Sequence, residues 1–357
     1  MLDLKSFLLS FAACILLLIS SSTIFAQNRT TNSQLKLGSI HFPTSADGEA
    51  QQEFLTGVLA LHSFWYPEAR DHFKKAQTLD PTFAMAYWGE LMTYDHPIWE
   101  QHNQSAGSQV LKRLGRQIES GSISWTEREK GYLDAVRILY NDRKDMDDRR
   151  TEYAQAMQSL YEKYPSDETL AFSALASMTT PDYNYSNPAP DKLVPIAANL
   201  EQLYKRNPKH PGGMHYLIHI YDNSTFAEMG IRPANDYSEV AYSSSHAIHM
   251  PSHIFKQLKM WDKVIQSNIK AYDASVNWQK KTDRPLKDRD YHSYRWLFEA
   301  YLEIDNFEEA CDIIKNTQQI EQQAKENGEK LGRIPELLKN FQKQYKAKEK
   351  APHCISG

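Results

Sequence analysis

Between residues 54 and 81, small residues and a proline fall where a pair of closely packed helices would use them. Gly57, Ala69 and Ala76 allow two antiparallel helices to approach, and Phe54, Leu61 and Phe73 fill the seam between them. Pro81 stops the second helix, having no N–H to continue the ladder. Another helix is predicted at once, over Ala84–Tyr94. Helical periodicity returns in Glu127–Tyr140, Asp147–Tyr164, Glu168–Ser177 and Leu193–Tyr204, with Pro165 and Pro208 closing two of these. Composition agrees, because 14 glycines in 357 residues and turn residues clustered between helix-length segments favour helices over sheets. The expected fold class is all-α. No single hairpin buries its apolar face alone, so the hairpins must stack.

Gly57, Ala69, Phe73, Ala76 and Pro81 match the tetratricopeptide repeat pattern in type and spacing. Val264 with Ala271, and Phe298, Tyr301 and Ala310, match it again. The chain therefore resembles a tetratricopeptide (TPR) repeat protein over most of residues 50–315, strongly in these three units and loosely between them. The resemblance implies a right-handed superhelical solenoid of helical hairpins, with a concave groove lined by the first helix of each pair. Residues 210–272 also resemble a group of exported bacterial TPR proteins with His-rich repeats, which supplies no reaction. Residues 27–49 read as an N-terminal extension, and 316–357 as a charged helix and tail. Three stretches, 178–191, 223–233 and 277–290, read as irregular loops.

Six of the 13 histidines lie between His210 and His253. His215 and His219 are four apart, as are His249 and His253, and the second pair follows the first by 34 residues. Residues at i and i+4 share a helix face. One repeat length between pairs would set four imidazoles as a rough square on adjacent helices. By resemblance to the repeat pattern, these rings point into the groove. His246 extends the face by a turn, His292 corresponds to it in the next unit with Glu299 beyond, and His62 and His96 repeat the 34-residue offset earlier in the chain. Neutral imidazoles paired in this way suit zinc, copper, iron or nickel. Asp222, Glu90 and Glu299 are candidate carboxylate partners or orienters of the rings. The competing reading is a set of structural histidines knitting repeats together.

Residues 1–26 read as a cleavable signal: Lys5, an apolar run from Phe7 to Ile19, then small residues to Ala26. The expected setting is exported, periplasmic or secreted, with no stable membrane span after cleavage. A net charge of −4 makes nucleic acid a poor partner. Cys311 and Cys354 are able to pair, though their spacing does not require it. No H-E-x-x-H, C-x-x-C, G-x-S-x-G or G-x-G-x-x-G motif is present. The expected function is an exported binding protein whose His-lined groove holds a transition metal ion and takes a peptide or small-molecule ligand. The alternatives are a metal-dependent hydrolase or oxidoreductase built on the same histidines, and a pure protein–protein interaction scaffold.

Overall fold

The computed structural model describes residues 35–123, 125–184 and 188–354. The expected signal, residues 1–26, lies outside them. The fold is all-α, apart from a two-residue antiparallel ribbon that pairs Asp95 with His102 and His96 with Gln101. In chain order the helices are α1 Gly48–His62, α2 Tyr66–Leu79, α3 Ala84–Met92, α4 Gln104–Glu119, α5 Glu127–Leu139, α6 Met146–Lys163, α7 Asp167–Ser177 and α8 Pro190–Arg206. There follow α9 Pro211–Tyr221, α10 Ile231–Val240, α11 Ser245–His249, α12 Pro251–Gln257, α13 Trp261–Lys281, α14 Tyr291–Glu303, α15 Phe307–Glu326 and α16 Ile334–Lys346.

Local chemistry sets many of these boundaries. Thr126 with Glu129 forms a reciprocal cap at α5, and Ser166 with Thr169 does so at α7. At α9, Pro211 occupies the first turn while the His210 side chain accepts from the Gly213 N–H. Residues 277–281, expected as loop, continue α13 instead; the helix ends only where Asp283 turns left-handed before Pro285. His96, expected on a helix wall equivalent to that of His62, sits in the ribbon. The following Pro97 disfavours helical geometry at residue 96, which lies outside the helical region at φ −113°, ψ 78°.

Consecutive helices pack on one another, and the seams are as close as the small residues suggested. A Cβ on Gly57 would lie 2.7 Å from the Phe73 ring, and one on Gly89 2.3 Å from it, so α1 and α3 both press on α2. Phe42, Phe54, Phe83, Trp88, Tyr132 and Phe172 continue that core across five segments.

The stack then curls back on its own beginning, which is what positions the site. Helix α9 packs on α1 and α7 as well as on its neighbours α8 and α10. Trp278 of α13 donates its indole N–H to Glu68 of α2 at 2.8 Å. An extended N-terminal strap crosses the same region. Ser39 N–H donates to the Lys209 carbonyl, and Lys36 exchanges hydrogen bonds with Ser243. Gly38 is required in the strap: its φ is +92° and a Cβ would meet the Lys209 oxygen at 2.4 Å.

At the other end α16 closes the array, with Phe341 stacked on Phe298 and Cys354 joined to Cys311 by a disulfide. Residue 315, the expected end of the repeat domain, falls inside α15. No helix among the described residues is long and apolar enough to cross a membrane.

Candidate metal centre

The two histidine pairs do not form one square. Each recruits a third ring, giving two abutting triads: His215, His219 and His246, and His249, His253 and His292. Within each triad one nitrogen per ring lies within 4.8 Å of the others. His215 Nε2 is 3.1 Å from His219 Nε2 and 3.2 Å from His246 Nε2, and His249 Nε2 is 3.0 Å from His253 Nε2. Imidazole nitrogens bound at 2.0–2.1 Å to a tetrahedral ion stand about 3.3 Å apart, so these edges have the length a metal requires. The triads touch through His219 and His253, and through His246 and His249, with ring centres 5.8 Å apart in both cases.

The outer nitrogens fix the tautomers. His215 Nδ1 donates to the carbonyl of His62 at 2.6 Å, an oxygen that can only accept. His253 Nδ1 donates to Asp222 Oδ2 at 2.7 Å, while the other oxygen accepts from Gln257. His249 Nδ1 meets Asn268 Oδ1 at 2.6 Å; Asn268 spends its amide on the Val264 carbonyl, so its oxygen faces the ring. In all three rings Nδ1 carries a proton, and in His215 and His249, which burial keeps neutral, Nε2 is a lone pair aimed into the site. Carbonyl, carboxylate and amide partners behind ligating histidines are the usual means of orienting them.

Burial holds His215, His219, His246, His249 and His292 below the ordinary histidine range. It is the largest influence on His219, His246 and His249, all held well below the ordinary histidine range, and neighbouring rings add to it. Burial takes His215 down to about 3 against the opposing pull of the His62 carbonyl, and takes His292 to about 3 as well. The expectation of an open groove wall is therefore corrected: His215, His219 and His249 are buried, and only His246, His253 and His292 keep partial exposure. They are buried because the closing of α9 onto α1 brings the turn after α1 over them. There Phe64, left-handed at φ +50°, lays its ring 4.3 Å from His215 and faces His219 and His246. A bulky residue with positive φ is strained, and the surrounding packing must hold it. Tyr237 stacks on the other side of His215, and Trp296 covers His253 at 4.3 Å.

The remaining expected residues lie outside the triads. His62 belongs to a buried network with Glu168 and His210, in which Glu168 accepts from His62 Nε2 at 2.8 Å and His210 Nε2 at 3.1 Å. The far nitrogens are also engaged, by the Tyr216 hydroxyl and the Gly213 N–H. Burial alone would raise the Glu168 carboxyl, but His210 and His62 more than reverse this and hold it at about 2. Every polar atom of that cluster is matched, so it reads as the hydrogen-bonded floor beneath His215. Its geometry still resembles a ligand set.

Glu90 is buried but ties together α2, α3 and α4 through Gln77 and Arg113. His96 stacks on Tyr66 at 3.8 Å and bonds to the Thr93 carbonyl. Glu299 pairs with Arg295 and lines a separate cavity of about 500 Å³ beyond Trp296. Asp222 alone of the expected carboxylates reaches a triad. Sequence reasoning missed Asn268 and Phe64. Asn268 had a legible signal, a polar residue on the apolar stripe between Val264 and Ala271, where burial demands a partner. Phe64 had none.

Fold and site together define an all-α helical-hairpin protein with two clustered imidazole triads. No protein-family model matches the chain, and no curated protein is similar to it. Among solved structures the chain is similar to the TPR2AB-domain:pHSP90-complex of yeast Sti1, at 14% identity over 82% of this chain and 98% of that one, with a TM-score of 0.29.

Proposed function

We propose that this chain is a transition-metal protein holding two neighbouring ions, one on each histidine triad. The observation that carries the reading is the 3.0 Å approach of His249 and His253 Nε2 while both Nδ1 atoms are committed as donors. Rings so fixed turn Nε2 toward Nε2 at the spacing two ligands of one ion adopt. Burial disfavours a proton on His249, whereas a metal ion is bound by its neutral Nε2. Imidazole donors with no thiolate among them suit zinc, copper, iron or nickel.

Three protein ligands per ion leave a coordination position for an exogenous ligand, as in catalytic rather than closed structural sites. That favours a metal-dependent enzyme over a storage protein. A helical-hairpin array is also a common scaffold for partner proteins, but buried rings do not present a peptide-binding wall. The signal-like residues 1–26 and the Cys311–Cys354 disulfide support export to an oxidising compartment.

The test is elemental analysis of the protein as purified and after loading, beside H215Q/H219Q and H249Q/H253Q variants whose helicity is checked by circular dichroism. The parent should carry about two equivalents and each folded variant about one. A parent that retains no zinc, copper, iron or nickel after loading and desalting refutes the reading. So do folded variants with unchanged metal content.

A further inference from the structure

A cavity of about 160 Å³ opens onto the two triads from the side where His246 and His292 remain partly exposed. Its aromatic walls are Phe64, Trp65, Trp99 and Trp278, its polar side includes Asp288 and Asp290, and one ring of each triad, His246 and His292, lines it. Trp99 stands edge-on to both histidines, 5.5 Å from His246 and 6.2 Å from His292. Trp65 and Trp278 meet edge to face at 5.5 Å, and the indole N–H of Trp278 is anchored on Glu68. The indoles come from three separated segments, the turn after α1, the ribbon and α13, so the aromatic lining is an assembled feature of the closed stack.

Size and chemistry narrow the occupant. A cavity of about 150 Å³ holds one benzene ring, so this one takes a single aromatic ring and no more. Indole walls favour an aromatic guest over an aliphatic one through edge-to-face contact. Each three-imidazole set leaves its ion a coordination position open to an exogenous oxygen donor. Asp288 and Asp290 lie on the same cavity, so the donor facing the ions is a single hydroxyl rather than a carboxylate, which those side chains would oppose.

We infer that this cavity binds single-ring phenols, with the ring between Trp99 and Trp278 and the hydroxyl directed to the open coordination positions at His246 and His292. The inference rests on the proposed two-ion reading and adds to it the class of ligand.

The test is calorimetric titration of phenol, cyclohexanol and benzylamine into the full chain, both stripped of metal with a chelator and loaded with zinc. Zinc-loaded protein should bind phenol at least tenfold more tightly than either competitor, and more tightly than stripped protein does. W99L should weaken phenol about three- to tenfold without changing zinc stoichiometry. W278F supplies a milder variant should W99L fail to fold, and should weaken phenol in the same direction. Equal binding of cyclohexanol, preference for benzylamine, or no phenol binding at full zinc stoichiometry overturns the phenol site and leaves the two-ion reading standing. Failure to take up zinc, copper, iron or nickel overturns the two-ion reading, and with it this one, whatever phenol does.

Discussion

Replacing Asp222 with asparagine isolates the orientation of a single ring. In the structure the Asp222 carboxylate accepts from His253 Nδ1 at 2.7 Å and from Gln257 Nε2 at 2.9 Å, so both its oxygens are engaged. Burial opposes the ionised carboxylate, but His253, Gln257 and Lys256 together keep it below its usual range. In the Asp222→Asn variant the new side chain has one acceptor oxygen in place of two. It can satisfy His253 only by turning its amide toward the Gln257 amide, donor against donor. Loss of such an orienting partner costs 10–100-fold in metal affinity, about 1.4–2.7 kcal/mol. Only the triad containing His253 should feel it, because the tautomer of His215 is set independently by the His62 carbonyl.

At fixed saturating zinc the same energy lowers the melting temperature by about 2–4 °C, since unfolding entropy for a chain of this length is roughly 0.7 kcal/mol per degree. Competition of zinc with a chromophoric chelator resolves the two sites. One site weakened tenfold or more beside one unchanged is the expected result. Equal weakening of both sites, or of neither, would refute the assignment of separate, Nδ1-oriented triads.

Removing metal should make stability depend steeply on acid. The lowered His215, His219, His246, His249 and His292 are neutral when folded but gain protons below about pH 6.5 when unfolded. Their contribution is thus fully present above the unfolded pKa and is lost as pH falls toward the folded values. Denaturant midpoints of stripped protein should fall between pH 7 and 5, and a flat profile would contradict the burial of the rings. Gly89→Ala should destabilise by about 1–3 kcal/mol, because the new methyl meets the Phe73 ring and the seam cannot open without moving α2; thermal melts read it. Cys354→Ser should loosen the α15–α16 cap and cost up to about 2–4 kcal/mol, given the 43-residue separation the disulfide closes. No change in denaturant midpoint would mean the cap holds without it.

How far the sequence could be read follows from which features are local. The helices expected from Glu127 and Glu168 begin at Glu127 and Asp167, because the capping residues Thr126 and Ser166 act within one turn. The all-α architecture and the close seams around Gly57 and Phe73 were legible for the same reason. The i, i+4 histidine pairs were legible too, since spacing within a helix is fixed. What spacing could not give was closure. That α9 folds back on α1 is a sum of small rotations over the whole stack, and it alone brings Phe64 over the rings and the His62 carbonyl behind His215. His96 lies outside the triads because α3 ends at Met92, short of it, and Pro97 follows at once. Glu90 failed because a buried acid with Arg113 in reach needs no other cation.

The histidines of one helical segment are divided between the two triads. His246 and His253 lie seven residues apart on the nearly continuous α11–α12 segment, about 10.5 Å along the axis at helical rise. Along that length His246 turns to one triad while His249 and His253 turn to the other. From α9, His215 and His219 lean together to 3.1 Å and take His246 as their third ring. From α14, His292 approaches His249 to 4.6 Å between ring centres and completes the other set. Repetition of a histidine pair at one repeat length thus builds, on three successive layers of helix, a stripe whose middle layer is shared between two sites.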